Sequence, residues 1–351
     1  MKTTAAVLVD TARPLEIVEL DVPPLAAGQV LVEIAFSGVC HTQLLECRGH
    51  RGDDPYLPHC LGHEASGTVV DVGAGVSKVC AGDAVILSWI KGSGADVPGS
   101  VYGGTASALN ADAVNAGGVT TFMTRAVVSE NRVTRLDQDV SMPAAALIGC
   151  AAATGAGAVW NTAGVKPGDT LAVFGTGGVG LCAVAAAVIA RAGKVIAIDV
   201  HPQRLQLAGE LGAQLTIDAA GEDPLARLAQ DVPGGLDHAI EASGRPSVMR
   251  QALACVRPRG GQAVVIGNAR FGETLELDPR ELNQGKRLAG TWGGDCQPDR
   301  DFPKLAKLVA EGALPLARLV GKTYSLAEVN AAIADLESGD VARPLLDLTR
   351  T

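Results

Sequence analysis

The stretch Gly175-Thr-Gly177-Gly178-Val179-Gly180 follows the strand-like run Leu171-Ala-Val-Phe174 and opens a long apolar, alanine-rich segment. Its reading decides the fold. The first glycine permits a tight turn, Gly177 lets backbone approach a pyrophosphate, and Gly180 lets a helix pack close to a sheet. The helix start adds unpaired N–H groups and a partial positive charge, which suit phosphate. Such a pattern is weak by itself in a chain with 43 glycines. Here strand, loop and helix stand in the required order, and Gly178 and Val179 fall where the helix begins. The next strand-like run, Val195-Ile-Ala-Ile, ends in Asp199, 24 residues after Gly175 and in place for an acid on a ribose diol. The segment is predicted to bind a dinucleotide. A carboxylate there accepts from a free 2′-hydroxyl and repels a 2′-phosphate, which favours NAD over NADP; Arg204 offsets part of that repulsion. A Walker-type phosphate loop is excluded, because Gly321-Lys-Thr has Leu316 where a glycine is required.

Around this loop the chain alternates strand and helix signals. Strands are expected at 171–174, 195–198, 215–217, 238–240 and 263–266, with Ala- and Leu-rich helical patterns between most of them. That alternation predicts an α/β fold with a doubly wound parallel sheet. Residues 1 to about 150 read differently. Short β-branched runs at 5–9, 30–35, 68–72, 84–87 and 126–128 are separated by Gly, Pro and Asp turns, the texture of a β-rich domain. After Trp292 come two helix-like segments, 302–311 and 326–337, and a closing strand-like run.

The chain has 351 residues, 47% hydrophobic and 19% charged, enough apolar material for two cores. A formal net charge of −9 repels nucleic acid and anionic membranes, so neither is an expected partner. The apolar stretch near the start is five residues long before Asp10, shorter than a signal peptide requires, so the cytoplasm is expected. Residues 140–165 carry no charge, but Pro143, Gly149, Gly155, Gly157 and Gly164 make a buried small-residue helix the better reading than a membrane span. Eight cysteines are present without a C-x-x-C pair, so disulfides are not expected and most of these thiols read as core.

Three turn-rich places in the first half hold metal-ligand chemistry: Gly38-Val-Cys40-His41-Thr42, Gly62-His63-Glu64 and Gly149-Cys150. One Cys, one His and a second Cys would give zinc three ligands and leave a fourth position open, the catalytic pattern. Spacing alone does not choose Cys150 over Cys60 or Cys80.

Taken in order, GVCHT, LGHEASGTVVDVG, GDAVI, GCAAATGAGAV, GTGGVG and SGDVAR give the chain a resemblance, over essentially its full length, to the zinc-dependent alcohol dehydrogenases of the medium-chain dehydrogenase/reductase superfamily. The resemblance implies a GroES-like catalytic domain at 1–151 and 292–351, a Rossmann domain at 152–291, and an active site in the cleft between them. By position it implies that Cys40, His63 and Cys150 ligate one catalytic zinc, with Glu64 beside the metal as a transient ligand at most. Thr42 is implied as the hydroxyl that takes the substrate proton, and Trp89 as an aromatic of the substrate pocket. On the cofactor side it implies His41, Thr154 near the nicotinamide, Val179 near the pyrophosphate, Ile266, and Arg343 on the phosphates. The implied reaction is hydride transfer between NAD(H) and a primary or secondary alcohol, or its aldehyde or ketone, in a homodimer or homotetramer.

The sequence departs from the family in three places. No cysteine stands between Lys91 and Gly118, where many relatives hold a structural zinc, so one zinc per chain is expected. Gln43 replaces the common aspartate that orients the ligand histidine; it is expected to accept the ring N–H through its amide oxygen, giving a more Lewis-acidic, weaker site. Leu45 stands where some relatives end a proton relay with histidine, and neither His41 nor His50 is assigned to that task. A zinc-free reductase of activated double bonds and a catalytically idle dinucleotide-binding protein are the competing readings. Retention of the three ligands, Thr42 and Asp199 counts against both. The substrate itself is not legible, with only five Phe, three Tyr and three Trp to build a pocket.

Overall fold

The computed structural model describes residues 1–103 and 113–350. It divides the chain into two compact units, Met1–Cys150 with Gln297–Thr351, and Ala151–Cys296.

The second unit is built on a parallel sheet in the order Leu215–Asp218, Lys194–Asp199, Thr170–Phe174, His238–Glu241, Gln262–Val265, Arg287–Gly290. Numbered along the chain this is 3-2-1-4-5-6, the doubly wound order that reverses direction beside its first strand. Central strands such as Thr170–Phe174 are buried on both faces, which is why they read as continuous apolar runs. The sixth strand, Arg-Leu-Ala-Gly, has no buried residue and left no apolar signal in the sequence. Four helices of this unit begin with proline (Pro202, Pro224, Pro246 and Pro279), whose fixed φ suits the first helical position and whose missing N–H costs nothing there. The helix Gly178–Ile189 is buried nearly all round, as its lack of a polar face requires.

The uncharged stretch 140–165 forms four short helical segments, Met142–Ala146, Leu147–Gly149, Ala151–Gly157 and Ala158–Thr162, instead of one helix. Small residues serve close packing here: a Cβ on Gly155 would stand 2.3 Å from the Val179 carbonyl oxygen. Among the described residues no single helix is long and apolar enough to cross a membrane.

The first unit combines a closed barrel and a seven-stranded sheet. Lys2–Leu8, Glu16–Asp21, Val101–Gly103, Ala113–Asn115 and His59–Cys60 close the barrel. The sheet runs Val133–Arg135, Ala84–Ser88, Glu64–Val72, Gln29–Gly38, Leu345–Asp347, Thr323–Tyr324, with Arg125–Ser129 also paired to Gln29–Gly38. The five strands expected from the sequence are all present, and the closing run is the Leu345–Asp347 strand. Glu16–Asp21 was not foreseen although it alternates, and the two- and three-residue barrel strands were not foreseen because strands that short carry too few alternations to read. The two expected late helices are Pro298–Ala310 and Val329–Ser338, the second ended by Gly339 at φ 88°.

The stretch beginning at Lys91, where cysteines were sought, is organised by a carboxylate; its residues 104–112 lie outside the described residues. Glu130, 2% exposed, accepts from the backbone N–H groups of Ser77 at 2.7 Å, Lys78 at 3.1 Å and Ala95 at 2.8 Å. Burial pushes its pKa up, but those N–H donors outweigh burial and hold it below the ordinary glutamate value. Glu130→Gln sets an NH2 group against a backbone N–H and is expected to cost about 1–3 kcal/mol in urea unfolding. Because the folded pKa lies below the unfolded one, the stabilisation is complete above about pH 4.3 and vanishes as pH falls through the folded value. The gap between wild type and variant therefore closes in acid; a gap that widened there would contradict the assignment.

Candidate metal and cofactor site

Sheet topology gathers the metal-site residues. The Gln29–Gly38 strand runs antiparallel to Glu64–Val72, so its exit toward Cys40 and the entry through His63 lie at the same sheet end. Ala84–Ser88 pairs antiparallel with Glu64–Val72 and delivers Trp89 there, and Leu345–Asp347 pairs with Gln29–Gly38 and brings Arg343. Cys150 arrives from the Leu147–Gly149 turn, held by Ser88 Oγ, which donates to the Gly149 carbonyl at 2.5 Å. Glycine is required at 149, since a Cβ would stand 2.1 Å from the Leu87 carbonyl oxygen.

The result is one compact donor set. The ligand atoms of Cys40, His63 and Cys150 lie within 4.8 Å of one another, and His63 Nε2 is 3.2 Å from Cys150 Sγ. Two thiols and an imidazole at this spacing fit a soft or borderline divalent ion such as zinc. The alternatives left open by spacing now separate. Cys60 lies in a barrel strand, where burial pushes its thiol up to about 12, and Cys80 is an exposed loop residue against Asp83. None of the eight cysteines, all among the described residues, is joined in a disulfide.

Charge at this sheet end is arranged around one cation. Glu64 and Arg343 form a salt bridge with side-chain exposures of 0% and 4%; Nε donates to Glu64 Oε1 at 2.9 Å and Nη2 reaches the same oxygen. Arg343, expected on the cofactor phosphates, thus spends these donors on Glu64. Burial disfavours its charge, but Glu64, Cys40 and Cys150 more than compensate and keep it protonated. Cys40 lies well below the ordinary thiol pKa, chiefly through its hydrogen bond with Cys150; burial opposes this, and Arg343 and His63 add to it. The same hydrogen bond raises Cys150, with burial and the Glu64 charge adding. Gly38 makes room for the pair, since a Cβ there would fall 1.8 Å from Glu64 Oε1.

Gln43 corrects an expectation. Its amide oxygen accepts from the Cys40 N–H at 3.0 Å, and its amide nitrogen, not its oxygen, faces His63 Nδ1 at 2.5 Å. Thr42 is half-buried, with its hydroxyl 3.8 Å from Cys40 Sγ, while His41 is exposed. Leu45 is buried and offers no proton path. Trp89 packs edge-on to His63, ring centroids 6.4 Å apart and planes at 73°. Its backbone carbonyl accepts from Arg132 Nη1, a residue that sequence reasoning missed because no motif marks it.

The second unit holds the dinucleotide features at the carboxyl ends of adjacent strands. Gly175 has φ 88°, a Cβ on Gly177 would meet nothing within 4 Å, and one on Gly180 would lie 1.9 Å from the Gly175 carbonyl oxygen. Turn, open approach and close packing thus fall on the three glycines as their spacing implies. Gly178 starts the helix, and Val179 is half-buried in its first turn. Asp199 is 7% exposed and saturated: Oδ2 accepts from Thr176 N and Oγ1 at 2.6 and 3.0 Å, Oδ1 from Val200 and His201 N at 2.8 and 3.0 Å. The sequence reading foresaw its position but not this service to the loop. Thr154 is buried on the Ala151–Gly157 helix, and its hydroxyl has no hydrogen-bond partner among the described residues. Ile266 follows the Gln262–Val265 strand, and Arg204 is half-buried on Pro202–Glu210. Glu241, unforeseen, ends the strand beside the loop and accepts from Ser243 and Gly244 N at 2.7 and 2.9 Å.

Two family models match the chain, the alcohol dehydrogenase GroES-like domain over residues 26–138 and the zinc-binding dehydrogenase domain over 178–311. The S-(hydroxymethyl)glutathione dehydrogenase of Synechocystis sp. is 35% identical over 99% of this chain and 100% of its own length. Among solved structures, an alcohol dehydrogenase zinc-binding domain protein from Burkholderia ambifaria superposes with TM-score 0.90 at 32% identity, covering 99% of both chains. Benzyl alcohol dehydrogenase from Acinetobacter calcoaceticus gives 0.88 at 30% identity, again over 99% of both. With its Cys40–His63–Cys150 cluster, GroES-like unit and Rossmann sheet, the chain belongs to the zinc-dependent alcohol dehydrogenases of the medium-chain dehydrogenase/reductase superfamily.

Proposed function

We propose that this chain transfers a hydride between NAD(H) and a primary or secondary alcohol, or the matching aldehyde or ketone, using one zinc ion held by Cys40, His63 and Cys150. The observation that carries the reading is the meeting of two buried sulfurs and an imidazole within 4.8 Å. When bound, zinc supplies a Lewis acid that acidifies a hydroxyl or polarises a carbonyl, and the nicotinamide supplies or accepts the hydride. The three side chains leave a fourth position for substrate oxygen, with Glu64 kept out of it by Arg343. Thr42 takes the substrate's hydroxyl proton, and Trp89 walls the pocket beside His63. The two relatives' names, benzyl alcohol and S-(hydroxymethyl)glutathione dehydrogenase, both describe hydroxymethyl compounds, so a –CH2OH substrate is the first to test.

On the cofactor side, N–H groups at Gly178 and Val179 hold the pyrophosphate, Thr154 meets the nicotinamide end, and Ile266 flanks the cofactor. Of the four donors on Asp199, only the Thr176 hydroxyl is free to turn away and yield its place to a ribose hydroxyl. A 2′-phosphate would face that carboxylate, with Arg204 as partial relief. The assembly we favour is a homodimer or homotetramer, for which Arg287–Gly290, last in the sheet order, offers an edge.

Metal analysis of the purified protein is expected to give one tightly bound zinc per chain; two would refute it. Steady-state kinetics on a panel of alcohols should give kcat/KM at least about tenfold higher with NAD than with NADP, an electrostatic preference of about 1.4 kcal/mol. Equal efficiencies would overturn the role given to Asp199. Arg343→Ala strips a buried carboxylate of its partner and should destabilise the protein by about 3–5 kcal/mol in urea unfolding. A loss below about 1 kcal/mol would mean that the pair is not buried in solution.

A further inference from the structure

Behind the ligand histidine, Gln43 stands between a backbone donor and the ring. The Cys40 backbone N–H donates to Gln43 Oε1 at 3.0 Å, and Gln43 Nε2 lies 2.5 Å from His63 Nδ1. A backbone N–H can only donate, so the amide oxygen belongs to Cys40 and the NH2 group must face the ring. Nδ1 then accepts, which puts the ring proton on Nε2, 3.2 Å from Cys150 Sγ. A metal needs the Nε2 lone pair, and a neutral imidazole offers one nitrogen only by carrying its proton on the other. Once that proton sits on Nδ1, Gln43 faces two donors with a single oxygen. Turning the amide satisfies the ring and sets NH2 against the Cys40 N–H. At 2% exposure Gln43 has no water to relieve the conflict.

We propose that Gln43 is a positioning residue that disfavours the metal-ready form of His63, so that this chain holds its zinc more weakly and exchanges it faster than a carboxylate at 43 would allow. The proposal rests on the reading that Cys40, His63 and Cys150 hold zinc. A carboxylate has no donor and accepts from both the Cys40 N–H and the Nδ1–H, which removes the conflict. Glutamate matches the reach of Gln43, so Gln43→Glu changes the donor count while keeping the shape.

The test is zinc titration of metal-free protein against a chromophoric chelator, for wild type and Gln43→Glu. The expected result is about 10- to 100-fold tighter zinc in the variant, the range typical of partners that orient a ligand histidine. Added negative charge also attracts a dication, so a second readout separates the causes. Nitrogen-15 NMR of histidine-labelled, metal-free protein should show the His63 proton on Nε2 in wild type and on Nδ1 in Gln43→Glu. Unchanged or weaker zinc binding in the variant, or a metal-free wild type with its proton on Nδ1, overturns the proposal. If Gln43→Glu fails to fold, the wild-type spectrum decides alone. Wild type and variant both failing to bind zinc would overturn the zinc reading along with this one, whereas equal tight binding would sink only the role of Gln43.

Discussion

The buried pair of Glu64 and Arg343 is the constraint around which the metal site is built. Cys40, Cys150 and Glu64 together bring up to three negative charges into a sheet end where all are nearly inaccessible, and Arg343 brings one positive charge. A dication is the charge that balances this set, which is a physical reason for two thiolates to be tolerated side by side. Without the guanidinium the deficit would rest on the sulfurs, and both would be driven to keep their protons. The salt bridge also joins residues 279 positions apart, so the closing strand Leu345–Asp347 completes the same sheet end as the ligands.

That geometry explains which parts of the site were legible in sequence. The glycine loop could be read because its chemistry is local: turn, approach and packing fall on three glycines within six residues, preceded by a strand and followed by a helix. The ligands could not be ranked by spacing, because their meeting depends on antiparallel pairing between distant strands. Cys150 and Cys60 are both buried, and only topology sends one to the metal site and the other into the barrel wall. Family resemblance named the three ligands, yet it did not foresee the bond of Arg343 to Glu64, and it gave Gln43 the wrong atom toward His63. Both gaps share a cause. Partner choice by a long polar side chain is set by which donors and acceptors surround it, and neither list is written in the neighbouring residues. Asp199 shows a milder form: its place was foreseen, but the four donors it already serves come from folding of the loop upon the strand end.

The fold was legible in proportion to element length and burial. Five of the six Rossmann strands stood out as apolar runs, whereas Arg287–Gly290 did not, because an edge strand with no buried residue need not be apolar. The short barrel strands escaped for lack of periods to count. Residues 140–165 were read as one helix on composition, and small residues indeed allow close packing there. What composition could not show is the break at Cys150, whose φ of −144° and ψ of −66° end one helical segment and turn the thiol out of it.

The cysteine-free stretch after Lys91 makes the same point about function and economy of charge. A loop with several inward-facing backbone N–H groups needs a common acceptor, and a metal held by side chains is one way to fasten such a segment. Glu130 achieves the fastening with a single carboxylate that takes N–H bonds from Ser77, Lys78 and Ala95. Asp299 repeats the device at Ser93 N and adds an ion pair to Lys78 at 2.7 Å. Two residues along from Glu130, Arg132 grips the carbonyl of Trp89. The clamp that fixes this loop is therefore continuous in the chain with the contact that sets the aromatic beside His63: Glu130 gathers backbone N–H groups, and the Arg132 guanidinium donates to a backbone carbonyl.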